Sequence, residues 1–328
     1  MPSGPWGGVA GMILATAIWS LLCVTTFLFA RATRALDYRT FFGRLLGPAA
    51  ILFELAYFAY IIVILAVFGA AAGSLGMSVF GWPVLCGTLC LMAGIALFTS
   101  FGSISVERLF KWVSVFLYST YAAFLALALM KFGDKVPPSF AASVPADGWA
   151  LRGVTYAGYN IVGAVVILPV VRHLTSNRDA VTAGLLCGPL AMLPALIFFV
   201  CMCAFYPSIA AETLPSDFML RQMNIPAFQV AFQLMIFAAL LESGTGAVHA
   251  INERIASAYR SARGGELRNS ARFAAAGLML VGSIFIANHF GLVALIARGY
   301  RALSYAMLAL YVVPLMTYGV WQLVRKRP

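Results

Sequence analysis

Of eleven carboxylates in the chain, only Glu54 and Glu242 fall inside long apolar runs. Glu242 sits in LLESGTGAVHAINERI, with Ser243 and Thr245 beside it and the flexible Gly244 and Gly246 between them. A carboxylate at the centre of a bilayer costs at least ~2.5 kcal/mol, so it must face a protein interior, a water path or a bound cation. Two hydroxyls and one carboxylate suit a hard monovalent cation or a proton relay. Glu242, Ser243, Thr245 and Gly246 therefore form a candidate coupling site for Na+ or H+. The plainer alternative is a protonated Glu242 hydrogen-bonded to a neighbouring helix.

A second stretch with chemistry in it is GVTYAGYNIVGAVVILPVVRH, Gly153 to His173. It is long enough to span a membrane, yet Tyr156, Gly158, Tyr159, Asn160 and Gly163 make its first half polar and pliable, and Pro169 interrupts the second. An unwound turn in such a segment frees backbone groups to hold a solute, which makes these five residues a candidate substrate site. A closely packed helix with a tolerated proline explains the same pattern. Glu54 lies one or two turns inside its span and is expected to pair with Arg44 or reach the interface. His249 and Asn252-Glu253-Arg254 read as a polar network at the inner end of a helix. His289, Trp82, Trp112, Trp149 and Trp321 fall near span ends, where amphipathic rings collect.

The elements that must position these groups are membrane spans. The 328 residues are 62% apolar, only 10% charged, with a mean hydropathy of +0.92. Soluble domains carry roughly 25% charged residues, so this composition describes an all-α polytopic membrane protein. Nine spans are predicted: Gly7–Ala30, Ala49–Leu75, Val84–Phe101, Arg108–Met130, Gly153–His173, Ala180–Phe205, Phe228–Ile251, Phe273–His289 and Ala302–Val324. Gly69 and Gly73 give the second span a small-residue face for close packing. SIAAETLPSDFMLRQMN, ahead of the seventh span, reads as a short amphipathic helix outside the membrane.

The formal charge of +11 invites a nucleic-acid reading, but the basic residues occupy short loops between apolar runs. With the N-terminus outside, 16 of the 22 Lys and Arg fall in inner segments, the distribution of the positive-inside rule. This places the C-terminus in the cytoplasm and excludes nucleic acid as a partner. The six cysteines all lie in apolar runs without His or acid nearby, and read as small apolar residues. No hydrolase, nucleotide-binding or metalloprotease motif is present, so no enzyme, metal site or cofactor is expected beyond a coupling ion.

The stretches YRTFFGRLLGPAAILFELAYFAY, LFTSFGSISVERLFKWVSVFLYSTY, YAGYNIVGAVVILPVVRHLTSNRDAVTAGLLCG, FAALLESGTGAVHAINERI and FGLVALIARGYRALSYAML resemble the YkvI-like family of bacterial membrane proteins. That family belongs to the amino acid–polyamine–organocation transporters with the LeuT fold. The resemblance implies two inverted repeats of five helices, with ion and substrate sites between the first, sixth and eighth. On this chain it implies a first half-repeat of four helices (7–130), an external linker (131–152) and a second half-repeat of five helices (153–328). The first helix is then missing, and DNA upstream of Met1 is expected to encode it behind a start codon assigned too late. Tyr156 to Gly163 would be the break in the sixth helix, and Glu242 to Gly246 the facing part of the eighth.

The function this implies is secondary transport of a small solute, such as an amino acid or amine, across a bacterial inner membrane. A non-transporting sensor or assembly subunit on the same fold is the alternative.

Overall fold

The computed structural model describes residues 3–100, 103–141, 147–160, 168–212, 214–265 and 267–325. Pro5 opens α1 (Gly4–Thr33), which ends where Arg34 turns left-handed and its N–H closes on the Ala30 and Arg31 carbonyls. Asp37 caps α2 (Tyr38–Leu46) by accepting the Thr40 N–H at 2.9 Å. Next come α3 (Ala50–Phe80), α4 (Val84–Ser100), α5 (Ser103–Phe132), α6 (Val136–Ala141) and α7 (Trp149–Asn160). The chain is 3-10 helix at Leu168–His173.

A capping box then starts α8 (Asn177–Cys203): Ser176 Oγ accepts the Asp179 N–H at 3.0 Å while Asp179 accepts the Ser176 N–H at 2.9 Å. The nine-residue α9 (Pro215–Met223) leads into α10 (Pro226–Arg263), then α11 (Asn269–Ala294), α12 (Tyr300–Met307) and α13 (Val320–Arg325). Wider π turns occupy Leu295–Gly299, Leu308–Val312 and Leu315–Gly319.

Among the described residues seven helical stretches are long and apolar enough to cross a membrane, with Val84–Thr99 a shorter apolar helix. The predicted span Gly153–His173 starts earlier, at Trp149, and its described C-terminal end, Leu168–His173, is 3-10 rather than α-helical. The seventh predicted span runs on to Arg263, because IASAYRSAR is made of helix formers and only Gly264, at φ 70°, ends it. The amphipathic segment after α8 is a 3-10 turn at Ser208–Ala211 followed by α9, whose Met219, Leu220 and Met223 are buried.

Contacts divide the chain into two compact units. The first takes Met1–Tyr57, Lys131–Glu212 and Tyr300–Pro328, and so holds α1, α2, α6, α7, α8, α12 and α13. Here α1 packs antiparallel on α8: Gly184 lies against Val24 and Gly188 against Ser20, and the Ser20 hydroxyl donates to the Leu185 carbonyl at 2.9 Å. The other side of α1 meets α7, where Ala15, Ala157 and Met192 form a buried cluster. Below it, Tyr311 is fully buried among Phe41 and Phe42, its hydroxyl 2.5 Å from Thr26 Oγ1.

The second unit takes Phe58–Met130 and Thr213–Gly299, and so holds most of α3 and α5 with α4, α9, α10 and α11. Helices α3 and α4 form a tight hairpin, with the Thr88 hydroxyl donating to the Gly69 carbonyl at 2.8 Å. Helix α10 packs on α4 and α11. Large apolar side chains face outward, including Leu278 at 76% exposure and Phe285 at 72% on α11. Water would not tolerate such a surface, and lipid does.

Candidate functional site

In the first unit, α7 carries the described part of the candidate substrate residues. Tyr156 is half-buried against the Ala15–Ala157–Met192 cluster, beside Ile18 and Trp19 of α1. Gly158 is buried where α12 crosses: a Cβ there would stand 3.1 Å from Ser304 Cβ and 3.3 Å from its hydroxyl oxygen. Ser304, 2% exposed, also donates to the Thr155 carbonyl at 3.4 Å, so α12 touches both backbone and side of the last turns of α7. Tyr159 and Asn160 close α7, with side chains outside the described set, and Gly163 lies outside the described residues.

In the second unit, Glu242, Ser243, Thr245 and Gly246 all stand on α10. At 100° per residue Glu242, Thr245 and Gly246 share one face, and Ser243 is turned away from it and exposed. Helix α5 runs against that face: the Ser114 hydroxyl is a hydrogen-bond partner of Glu242, and Phe110 covers Gly246, whose added Cβ would meet the ring at 3.0 Å. Ile95 of α4 and Leu65 of α3 close over Gly244. Thr245 is 0% exposed, and its hydroxyl has no hydrogen-bond partner.

Further along α10, Asn252 is 6% exposed with an unpartnered Oδ1. The exposed Glu253 takes an ion pair from Arg272 of α11 at 2.8 Å. The Asn252-Glu253-Arg254 cluster thus includes a partner from α11. No ion pair between Glu54 and Arg44 is found among the described residues; the Tyr38 hydroxyl donates to the Glu54 carboxylate at 3.5 Å, because α2 folds back along the start of α3. His289 stacks on Phe285 at the outward surface of α11.

One buried acid escaped the sequence reading. Asp217 on α9 is 3% exposed, although its segment reads as an amphipathic helix outside the membrane. Its carboxylate accepts from Ser78 Oγ at 2.7 Å, Gln229 at 3.2 Å and Gln233 at 2.5 Å, and pairs with Arg221 at 3.3 Å. The two glutamines at the start of α10, four residues apart and one turn from α9, were the available signal. Among the described residues no group of three or more His, Cys, Asp or Glu could hold a metal ion.

No family model matches the chain. No curated protein matches it either. Solved structures do. The crystal structure of MhsT in complex with L-phenylalanine aligns over 96% of this chain and 82% of its own, at 17% identity and a TM-score of 0.62. A Na+-coupled sialic acid symporter in a substrate-bound outward-open state aligns over 97% of this chain and 73% of its own, at 12% identity and a TM-score of 0.63. The fold is LeuT-like. At these identities the likeness concerns the path of the chain and leaves side-chain chemistry to the residues themselves.

Proposed function

We propose that this protein is a secondary active transporter of a small solute, an amino acid or amine, coupled to a sodium ion or a proton. The observation that carries the reading is the likeness, over nearly the whole chain, to a structure holding L-phenylalanine and to a Na+-coupled symporter. Glu242 supports it as a carboxylate in the body of a membrane helix, partnered by Ser114 and followed one turn on by the unbonded Thr245 hydroxyl. A group that only held helices together would have its hydrogen bonds made. Glu242, Thr245 and Gly246 carry the coupling role, with Ser114 added from α5 and Ser243 flanking them.

Tyr156, Gly158, Tyr159, Asn160 and Gly163 bind the solute. Gly158 keeps the turn close to α12. The protein sits in a bacterial cytoplasmic membrane, N-terminus outside and C-terminus inside, as two half-repeats (7–130 and 153–328) joined by an external linker. Membership of the YkvI-like group of the amino acid–polyamine–organocation transporters fits the quoted stretches. Solid-supported membrane electrophysiology on reconstituted protein tests the reading. A concentration jump of the transported amino acid or amine displaces charge and gives a transient current, and a panel that gives none contradicts the proposal.

A further inference from the structure

Helix α10 is continuous from Pro226 to Arg263, so residues on it can be placed by angle. Relative to Glu242, Thr245, His249, Asn252 and Glu253 all fall within a sector of about 100°. Successive steps of three, four and four residues take Glu242 to Thr245, His249 and Glu253, each about 5–6 Å apart at Cβ. The run climbs about 16 Å along the helix. It begins at a half-buried carboxylate, passes a fully buried hydroxyl and a half-buried imidazole, and ends at an exposed carboxylate.

Thr245 is the telling member. Thr16, Thr25, Thr26, Thr33, Thr88, Thr99, Thr155 and Thr317 each donate to the carbonyl four residues earlier in their own helix. Thr245 makes no such bond and is buried with no partner. Its hydroxyl is therefore free to accept on one side and donate on the other. Asn252 Oδ1, also buried and unpartnered, sits on the same face and offers an acceptor to a water in the track.

We propose that Glu242, Thr245, His249 and Glu253 form a proton relay along one face of α10, which makes the proton the coupling ion. This rests on the coupling role given to Glu242 above. A bound sodium ion needs several oxygens converging on one point. The described relay side chains on this face of α10 instead stand in file, a carboxyl, a hydroxyl, an imidazole and a carboxylate, each of a kind that passes protons. The proton leaves the Glu242 carboxyl, crosses the Thr245 hydroxyl and bridging water to the His249 imidazole, and passes from the imidazolium to the Glu253 carboxylate and bulk water. Glu242 ends ionised and His249 ends neutral.

The charges around the path are few. Helix α4 and the second-unit part of α3 contribute no acid, lysine, arginine or histidine. Helix α5 sets Ser114 against Glu242, with exposed Lys111 one turn before it; the side chains of Glu107 and Arg108 are outside the described set. Helix α11 supplies Arg272, which pairs with Glu253 at 2.8 Å, and Arg254 follows Glu253 on α10 itself. Asp217 and Arg221 lie with the opposite end of α10.

The test is pH-jump infrared spectroscopy on the full chain in liposomes, following the protonated-carboxyl stretch that Glu242→Gln removes. His249→Gln and Thr245→Val are expected to slow loss of that band by roughly 100-fold or more, the usual contribution of a positioned proton-transfer group. Thr245→Ser restores the rate. Unchanged rates in both slow variants overturn the relay, as does loss of the band at fixed pH on adding sodium chloride. Failure of every solute to be transported while the infrared result stands refutes the transport reading alone.

Discussion

At the scale of single residues, Gly158 and Glu242 make opposite demands on the chain. Gly158 is needed because Ser304 leaves no room: even a methyl group would press on it at 3.1 Å. Gly158→Val is expected to cost about 1–3 kcal/mol by overpacking. A fall in the melting temperature of the detergent-solubilised protein, partly recovered by adding Ser304→Gly, checks this. On the proposed coupling role Glu242 acts through its ionisable carboxyl rather than its volume, so the isosteric Glu242→Gln should fold normally and lose gradient-driven uptake. Unchanged uptake with unchanged pH dependence would reject the coupling role. Glu242 was legible in the sequence because a carboxylate stands out directly after the apolar run LMIFAALL. Ser114 and Ser304 were not, since a serine in a membrane helix is common and only the neighbouring helix shows what it touches.

At the scale of elements, the spans were legible and their ends less so. Apolar length sets a span, but ends depend on local chemistry: the Ser176–Asp179 capping box starts α8, and Gly264 stops α10 well beyond the apolar run. Helix α9 shows the limit most clearly. Its sequence reads as an amphipathic helix outside the membrane, yet Asp217 ties it to the end of α3 through Ser78 and to the start of α10 through Gln229 and Gln233. Sequence spacing cannot reveal that Ser78, 139 positions earlier, completes the set. Asp217→Ala strands buried donors at roughly 1–3 kcal/mol each. Faster amide hydrogen exchange across Pro215–Met223 is the expected outcome, and unchanged protection there would remove Asp217 from this role.

At the scale of the whole molecule, composition was enough to assign an all-α membrane protein, and the aligned solved structures give its LeuT-like path. The charge asymmetry predicts the orientation. With the natural cysteines replaced, a cysteine at Ser139 is expected to react with a membrane-impermeant maleimide in intact cells, and one at Gly265 only after lysis. The reverse pattern would invert the topology. Transport itself is tested most directly by uptake of radiolabelled amino acids and amines into proteoliposomes under an imposed gradient. The account predicts accumulation above equilibrium for at least one solute when an inward proton gradient is set, abolished by Glu242→Gln. Equilibration without accumulation under both proton and sodium gradients, across the whole panel, would contradict it.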